Sequence, residues 1–201
     1  VIGAFNESSS ATGGNGNQND QSAPLAGAAY VFVRSGTTWS QQAYLKASNT
    51  NASDNFGRSV TIHGDTIVIG AYGESSGATG VNGNQADNSK PASGAAYVFT
   101  RSRVNWSQQA YLKSSNPDSV DVFGSSVSLE GNVLVVGAPG EDSNANTVNG
   151  DQNNNSVENS GAAYVFVRNG TIWTQQAYIK PSTILPYMYF GSGAAISGNS
   201  I

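Results

Sequence analysis

The sequence has no cysteine, a single histidine and few charges: only 11% of its 201 residues are charged. Without cysteine, neither a disulfide bond nor a thiolate metal site can form. The formal net charge of −4 at pH 7 offers no basic surface to phosphate groups, so nucleic-acid binding is excluded. No apolar run approaches the ~18 residues of a membrane-spanning helix, and no signal peptide is recognisable.

The most informative feature that is present is a repeat of 67 residues. The hexapeptide GAAYVF recurs at this step, beginning at Gly27, Gly94 and Gly161. Aromatic positions keep the same step, as in Trp39, Trp106 and Trp173, and in Phe56, Phe123 and Phe190. A repeat of this length is typical of solenoids, propellers and arrays, in which one supersecondary unit stacks on the next.

Each repeat predicts four β-strands and no helix. In the middle copy FGRSVTIHG, from Phe56, alternates apolar and polar residues as a half-buried strand does. A tight turn at Gly64-Asp65 leads into TIVIGAY, whose unbroken apolar run predicts a strand buried on both faces. After a long polar loop, GAAYVFTR and WSQQAYLK supply strands three and four. Four antiparallel strands that recur in this way are typical of a β-propeller blade.

We therefore expect an all-β fold of β-propeller-type blades: three four-stranded antiparallel repeats of 67 residues, circularly permuted at the termini. The expected units are a partial blade over 1–55 (strands two to four), blades over 56–122 and 123–189, and the start of a next blade (strand one and part of strand two) over 190–201. The middle blade should bury Val60, Ile67, Ile69, Tyr97, Phe99, Tyr111 and Leu112. Because the only methionine is Met188, we expect the chain to be a fragment or a processed product.

Two motifs carry a family resemblance. FGSSV at Phe123, followed by VVGAPGED at Val135, resembles the FG-GAP repeat, the blade of integrin α-subunit propellers and of many bacterial surface proteins. The chain is more similar to the bacterial subgroup with GAAYVF and WxQQAYLKAS, and the resemblance covers all three copies. In the last copy, ILPYMY from Ile184 replaces the polar residues that precede the other FG pairs. The resemblance implies an extracellular or cell-surface protein.

The resemblance also raises the question of calcium. Integrin-like FG-GAP blades often carry a calcium loop of the D-x-D-x-D-G type between strands one and two. Here that place holds only two-residue turns, at Asp65, Asn132 and Asn199. Because Ca²⁺ takes six or more oxygen ligands, such a turn cannot bind it. We therefore expect no required cofactor, and if Ca²⁺ binds at all it should bind in the long loops between strands two and three.

These long loops also supply the candidate binding residues. Their carboxylates are those of Glu7, Asp20, Glu74, Asp87, Glu141, Asp142 and Asp151. Such groups could meet a cation or a ligand on one face of the blades. Alternatively they only shape the loops, since Asp, Asn and Gly satisfy turn backbone locally.

Three other sets of residues have competing interpretations. His63 is the only conventional catalytic base, but Glu130 and Ser197 replace it in the other copies, which favours an exposed and interchangeable position. Cations end strands three and four in every copy, and we interpret them as edge protection rather than a ligand site; they are Arg34, Arg101, Arg168, Lys46, Lys113 and Lys180. The repeated tryptophan either forms a sugar-stacking platform or packs between blades, and packing is favoured.

The functional hypotheses follow from this distribution of groups. Because the sequence gathers no convergent cluster of titratable residues, we predict that the protein is not an enzyme by itself. The leading hypothesis is a non-catalytic extracellular repeat protein with a structural role, as a subunit or repeating segment of a surface assembly or filament. The alternative is an adhesion or ligand-binding propeller that recognises glycans or surface proteins through the long loops.

The expected partner is a further copy of the chain. Ile201 would continue in register into Val1, because the pair matches Ile67-Val68 of the middle copy. Three blades are too few to close a propeller, and unpaired strand edges invite pairing with another chain. Two closures are possible: residues 190–201 pair with residues 1–5 of the same chain, or with residues 1–5 of a neighbouring copy. Three blades make the first closure geometrically difficult, so we expect the second, head to tail, in a ring or a fibre.

Overall fold

A computed structural model describes residues 1–201. The fold is all β, with strands arranged in three separate antiparallel sheets. It contains no α-helix, so there is also no helix with the length and hydrophobicity to cross a membrane. The predicted all-β class and antiparallel repeats are confirmed.

The strands follow the chain in simple meanders. The first sheet has three strands: β1 (Ile2–Ala4), β2 (Ala28–Ser35) and β3 (Thr38–Leu45). The second has four: β4 (Phe56–His63), β5 (Thr66–Ala71), β6 (Ala95–Ser102) and β7 (Asn105–Leu112). The third has four: β8 (Ser126–Glu130), β9 (Val133–Ala138), β10 (Ala162–Asn169) and β11 (Ile172–Ile179).

The hairpin between β4 and β5 shows how local sequence sets the register. The two strands are joined by Gly64 and Asp65 alone, and His63 pairs with Thr66 across the turn. Gly64 has a φ of +57°, which a glycine adopts without steric cost and which a two-residue hairpin of this type requires. The predicted tight turn and the predicted order of the four strands are therefore confirmed.

The hydrophobic cores lie between the sheets. Alternate residues of β5 point to opposite faces: Ile67 and Ile69 join a core with β2 and β3, while Val68 joins a core with the third sheet. Every residue of β5 is buried, as its unbroken apolar run predicts. Of the expected core residues, Val60 is partly buried and the others are fully buried. Burial of each large apolar side chain contributes about 1.5–3 kcal/mol, so the sheets stabilise one another mainly face to face.

Glycine allows the sheets to approach closely near their first strands. A Cβ atom on Gly70 would overlap the carbonyl oxygen of Gly124 in the following sheet. The same carbonyl accepts a hydrogen bond from Ser59 Oγ at 2.7 Å. The FG and GA dipeptides of successive repeats therefore form one contact, which explains why both motifs keep the period.

Residues 190–201 differ from the expectation. They form no strand: Phe190 makes a single parallel bridge to Gly161, and Ser197 and Ser200 bridge each other. In the other copies strand one pairs with strand two. Only the first two residues of that partner strand, Ser200 and Ile201, lie within residues 1–201, so the expected ladder is missing. Residues 190–201 also do not pair with residues 1–5 of the same chain.

Candidate functional site at the sheet junctions

Each junction between sheets is held by a buried tryptophan. Trp106, at the start of β7, donates from Nε1 to Gln42 Oε1 of the first sheet at 2.9 Å. The guanidinium of Arg101 lies 5.4 Å from the Trp106 ring centroid, in cation–π geometry. Trp173 repeats the arrangement by donating to Gln109 Oε1, also at 2.9 Å. For these two tryptophans, packing between sheets is confirmed.

The glutamine partner is placed by a β-bulge. In the first sheet Val31 pairs with Ala43 and Phe32 with Gln41, so Gln42 is an extra residue without a ladder partner. The same shift recurs in the other two sheets. A bulge re-aims the side chain of the inserted residue, and here the glutamine reaches the next sheet. The repeated QQ was the available sequence signal, but its role as a bulge was not recognised.

A buried ion pair lies in each repeat. Lys113 Nζ contacts Glu74 Oε2 at 2.9 Å, and both side chains are almost completely inaccessible. The equivalent pairs are Lys46 with Glu7 (2.7 Å) and Lys180 with Glu141 (2.8 Å). The interpretation of these lysines as edge protection is therefore wrong. Each lysine directly follows the last residue of its strand and is buried there, where a glutamate from the long loop pairs with its charge.

Glu74 is a fully occupied acceptor. Oε1 accepts from the hydroxyl of Tyr111 (2.9 Å) and from Asn49 Nδ2 (3.1 Å), while Oε2 accepts from Lys113 and the backbone N–H of Ser76. Burial lowers the pKa of Lys113, and the Glu74 carboxylate opposes that shift. A buried charge is tolerated when it is paired and its remaining bonding capacity is used. Glu74 is therefore a structural anchor of the loop.

An asparagine carries this network across the junction. Asn49, four residues beyond the end of β3, donates from Nδ2 to Glu74 Oε1 and to the carbonyl of Gln85 (3.0 Å) in the second sheet's loop. Its Oδ1 accepts from the hydroxyl of Tyr97 at 2.6 Å. Ser48 beside it contacts Gln85 as well. The next junction repeats these contacts through Ser115 and Asn116.

The remaining predicted carboxylates shape their own loops. Asp87 accepts hydrogen bonds from the backbone N–H groups of Gly77 and Ser89, and Asp20 does the same for Ser10 and Ser22. The hydroxyl groups of Ser10 and Ser89 also donate to Asp20 and Asp87. These side-chain bonds first, and the backbone bonds second, lower the pKa of both aspartates. The other two aspartates each accept one backbone hydrogen bond: Asp142 from Asn159 N (2.6 Å) and Asp151 from Asn153 N (3.0 Å). The structure contains no group of three or more metal-ligating side chains.

Two buried aspartates were missed by the sequence analysis. Asp54 and Asp121 each accept a hydrogen bond from the backbone three residues earlier, at 2.8 and 2.7 Å. Burial raises the pKa of Asp54 to about 7 and that of Asp121 to about 8. Their counterpart in the third repeat is Met188. The only signal in the sequence was their 67-residue separation, shared with many residues that stay on the surface.

The turns between strands one and two are occupied by protein contacts. Arg101 pairs with the carboxylate of Asp65, and Arg168 Nε donates to Asn132 Oδ1 at 3.0 Å. Both arginines also stack on the junction tryptophan of their own sheet. His63 is exposed at the end of β4. Arg101 and Arg168 therefore stabilise the hairpins and the tryptophans, and no side-chain hydrogen bond or ion pair involves His63.

The outer faces of the first and third sheets lack a covering sheet. On the first, Val1, Ile2, Phe32 and Trp39 line an open groove of about 370 Å³. Trp39 is 63% exposed there, whereas Trp106 and Trp173 are 8% and 2% exposed. On the third, Val165, Gln176 and Ile179 line a second apolar groove of about 310 Å³, which Ile196 and Ile201 near the C-terminal end also line. These two outer faces are made of the same repeat positions that meet inside the junctions.

The comparison with known families agrees with this geometry. A family model described as the FG-GAP repeat matches residues 39–99 and 106–166. Each match starts at the repeated tryptophan, Trp39 or Trp106, and ends at the phenylalanine of the third strand of the next sheet. The matched unit therefore spans one junction between sheets. No curated protein matched the chain.

Proposed function

This chain belongs to the FG-GAP repeat family, and we propose that it is a non-catalytic structural repeat of an extracellular surface assembly or filament. Repeats of this family are typical of extracellular proteins, and they are generally of the adhesion type and without enzymatic activity. In this proposal the three sheets are propeller-type blades. Their faces provide the binding surface, and the partner is a further copy of the chain joined head to tail.

The observation that supports this proposal is the match between the two outer faces. Inside the first junction, Ile69, Phe99 and Trp106 of the second sheet pack on the first sheet. Their counterparts on the outer face of the first sheet are Ile2, Phe32 and Trp39. The third sheet offers the complementary set, with Gln176 in the place of Gln42 and Gln109. Apolar faces of this kind mark sites of protein association.

The contact between copies is heterologous, because it joins two different faces. Repetition of such a contact gives a closed ring or an open filament, according to the rotation between copies. The tryptophan of one copy would donate to Gln176 of the next, as Trp106 does to Gln42 within the chain. The exposed apolar groove would then become a third junction.

Sedimentation velocity over a range of concentrations tests this proposal, with electron microscopy of the largest species. We expect concentration-dependent association into chains or rings, weakened at least tenfold in Kd by Trp39→Ala because about 2 kcal/mol of burial is lost. Val104→Ala is the matched control, since Val104 is also 63% exposed but lies in the turn between β6 and β7. A strictly monomeric protein at millimolar concentration would contradict the proposal.

A second candidate function has one observation in its favour. The loops of the second and third sheets form an open polar depression of about 290 Å³, and none of the residues that line it is hydrophobic. Thr79, Asn116, Gln152 and Asn153 contribute to its wall. Amide and hydroxyl groups of this kind suit a glycan or a polar loop of another surface protein. An oligosaccharide binding screen tests this alternative: saturable binding that is lost on Asn153→Ala supports it, and no binding contradicts it.

A further inference from the structure

We propose that the outer face of the first sheet carries a binding socket for a Ser-Asn dipeptide, presented by a neighbouring repeat just beyond its last strand. The socket consists of Glu7, Gln18, Tyr30, Gln41 and Tyr44. The inference deepens the structural role proposed above and rests on it, because it names the partner that the open face selects: a repeat with the sequence Lys-x-Ser-Asn at this place.

The two internal junctions show the filled form of this socket. In the second sheet, Glu74 and Tyr97 bind the two ends of the Asn49 amide, at 3.1 and 2.6 Å. Gln108 Nε2 donates to Ser48 Oγ at 3.0 Å. In the third sheet, Glu141 and Tyr164 bind the Asn116 amide at 3.1 and 2.7 Å, and Gln175 Nε2 donates to Ser115 Oγ at 3.0 Å. The same dipeptide is thus held by the same groups twice.

The first sheet repeats the socket residues without their ligand. Glu7, Gln18, Tyr30 and Gln41 stand one period before Glu74, Gln85, Tyr97 and Gln108. The Glu7 carboxylate accepts only from Ser9 N (3.0 Å) and Lys46 Nζ (2.7 Å). Glu74, by comparison, accepts four hydrogen bonds, including two from Asn49 and Tyr111. Glu7 therefore has free acceptor capacity, and its side chain is 11% exposed, compared with 1% for Glu74.

A second, independent observation is an unpartnered hydroxyl. Tyr44 is completely buried, yet its Oη makes no hydrogen bond. Its counterparts Tyr111 and Tyr178 both donate to the glutamate of their own repeat at 2.9 Å. Buried polar groups in native proteins are nearly always hydrogen-bonded, so an exception needs an explanation. Occupation of the socket would bring Glu7 and Tyr44 into the arrangement seen in the other sheets.

The chemistry of the socket selects asparagine. The Glu7 carboxylate needs a donor and the Tyr30 hydroxyl needs an acceptor. One primary amide presents both groups at a fixed spacing. The third repeat of this chain retains the serine, as Ser182, but has Thr183 in the place of Asn49 and Asn116. A threonine hydroxyl is a single group and shorter than an amide, so it cannot bridge the two. A copy of this chain therefore covers the apolar groove but fills the socket incompletely.

The test converts the third repeat into a matching partner. Thr183 is exposed, so Thr183→Asn should leave folding intact, which thermal melting verifies. We expect Thr183→Asn to lower the Kd of self-association, measured by sedimentation equilibrium, by about tenfold or more, since a hydrogen bond to a charged group is of this strength. Thr183→Val is the control of matched shape and should give no gain. Adding Tyr30→Phe to Thr183→Asn should erase the gain.

The outcomes separate the socket from the structural role itself. If only the Thr183→Asn protein associates, the socket is supported and self-assembly of the natural chain is overturned. If the natural protein associates and Thr183→Asn gives the same Kd, self-assembly stands and the socket is overturned. A gain that survives Tyr30→Phe, or one that Thr183→Val reproduces, also overturns the socket. If no variant associates at millimolar concentration, both proposals fail.

Discussion

The first and second sheets carry almost the same sequence in different surroundings. In the second, Trp106 is 8% exposed and bonded to Gln42, and Glu74 accepts four hydrogen bonds. In the first, Trp39 is 63% exposed and the Tyr44 hydroxyl has no partner. The repeat sequence specifies the strands in both sheets, but the neighbouring sheet determines which side chains become core. A single repeat therefore leaves one face of its sheet exposed until a neighbouring sheet covers it.

The largest effect is expected where the second sheet buries its charges. Glu74→Ala leaves Lys113 charged in an inaccessible place, which should lower the free energy of unfolding by about 3–5 kcal/mol. Urea denaturation measures this value. The matched variant in the open sheet is Glu7→Ala, whose carboxylate is 11% exposed and makes fewer bonds. Equal losses for the two variants would contradict the distinction between open and covered sheets.

Substitution of the repeated tryptophan should also lower the free energy of unfolding far more in the second sheet than in the first. Trp106→Ala removes a large buried side chain and is expected to lower the free energy of unfolding by about 3 kcal/mol. Trp39→Ala removes the same side chain from an exposed position, where substitutions change stability by about 0.5 kcal/mol or less. Both are measured by urea denaturation at low protein concentration, so that association does not contribute. A cost for Trp39→Ala close to that of Trp106→Ala would show that its face is already covered.

The bridging asparagine should have an intermediate effect. Asn49→Ala leaves Tyr97 without its acceptor and Glu74 with one donor fewer. The expected loss is about 1–3 kcal/mol, as for a buried group deprived of its partner. The control is Thr183→Ala at the equivalent but exposed position, which should leave the melting temperature unchanged. If Asn49→Ala lowers the melting temperature no more than Thr183→Ala does, the hydrogen-bond network does not stabilise the junction.

The two buried aspartates, Asp54 and Asp121, should make the protein less stable as pH rises. Because the folded pKa values of Asp54 and Asp121 are raised to about 7 and about 8, the folded state binds more protons than the unfolded state above pH ~4. Their stabilising contribution is complete below that pH and is lost as pH rises through 7 and 8. We expect the melting temperature to fall by a few degrees between pH 5 and pH 8.

Asn substitutions provide the control for this pH effect. Asp54→Asn with Asp121→Asn removes both titrating groups while keeping an oxygen acceptor for the backbone N–H of Asn51 and of Asp118. The double variant should melt at nearly the same temperature at pH 5 and pH 8. A double variant that retains the full pH dependence would assign it to other groups.

The smallest expected effect concerns calcium. The loop carboxylates already accept bonds from lysines or from their own backbone, so we expect melting to be the same with Ca²⁺ and with a chelator. Differential scanning calorimetry under both conditions measures this. A large drop in melting temperature with the chelator that Asp87→Ala abolishes would instead establish a cation site in the long loops.

Much of the fold could be predicted because its signals are local. The Gly64-Asp65 turn, the apolar run of β5 and the recurring GAAYVF each act within a few residues. The role of Lys113 could not be predicted in this way, since its partner Glu74 is 39 residues away and a cation at a strand end also suits an edge. The common period of the two residues was a usable signal, because a glutamate and a lysine recur together in all three copies.

The roles of the junction residues could not be predicted from the sequence for a different reason. Gln42 and Asn49 act on another sheet, and their function depends on a bulge and on packing between repeats. Neither feature has a periodicity within one strand. Residues 190–201 show the reverse case: their pattern predicts strand one, but the structure forms none because only the first two residues of the partner strand, Ser200 and Ile201, are available to pair with it. The alternating sequence pattern favours an extended backbone, but a strand forms only where a partner strand is available for hydrogen bonding.

The most direct test of the central claim, that the first sheet exposes an open copy of the internal junctions, is ¹⁹F NMR of the protein labelled with 5-fluorotryptophan. The three tryptophans, Trp39, Trp106 and Trp173, should give three resonances. At low protein concentration a soluble paramagnetic chelate should broaden the Trp39 resonance strongly and leave the other two sharp. Equal protection of all three resonances in the monomer, or equal broadening of all three, would contradict the account.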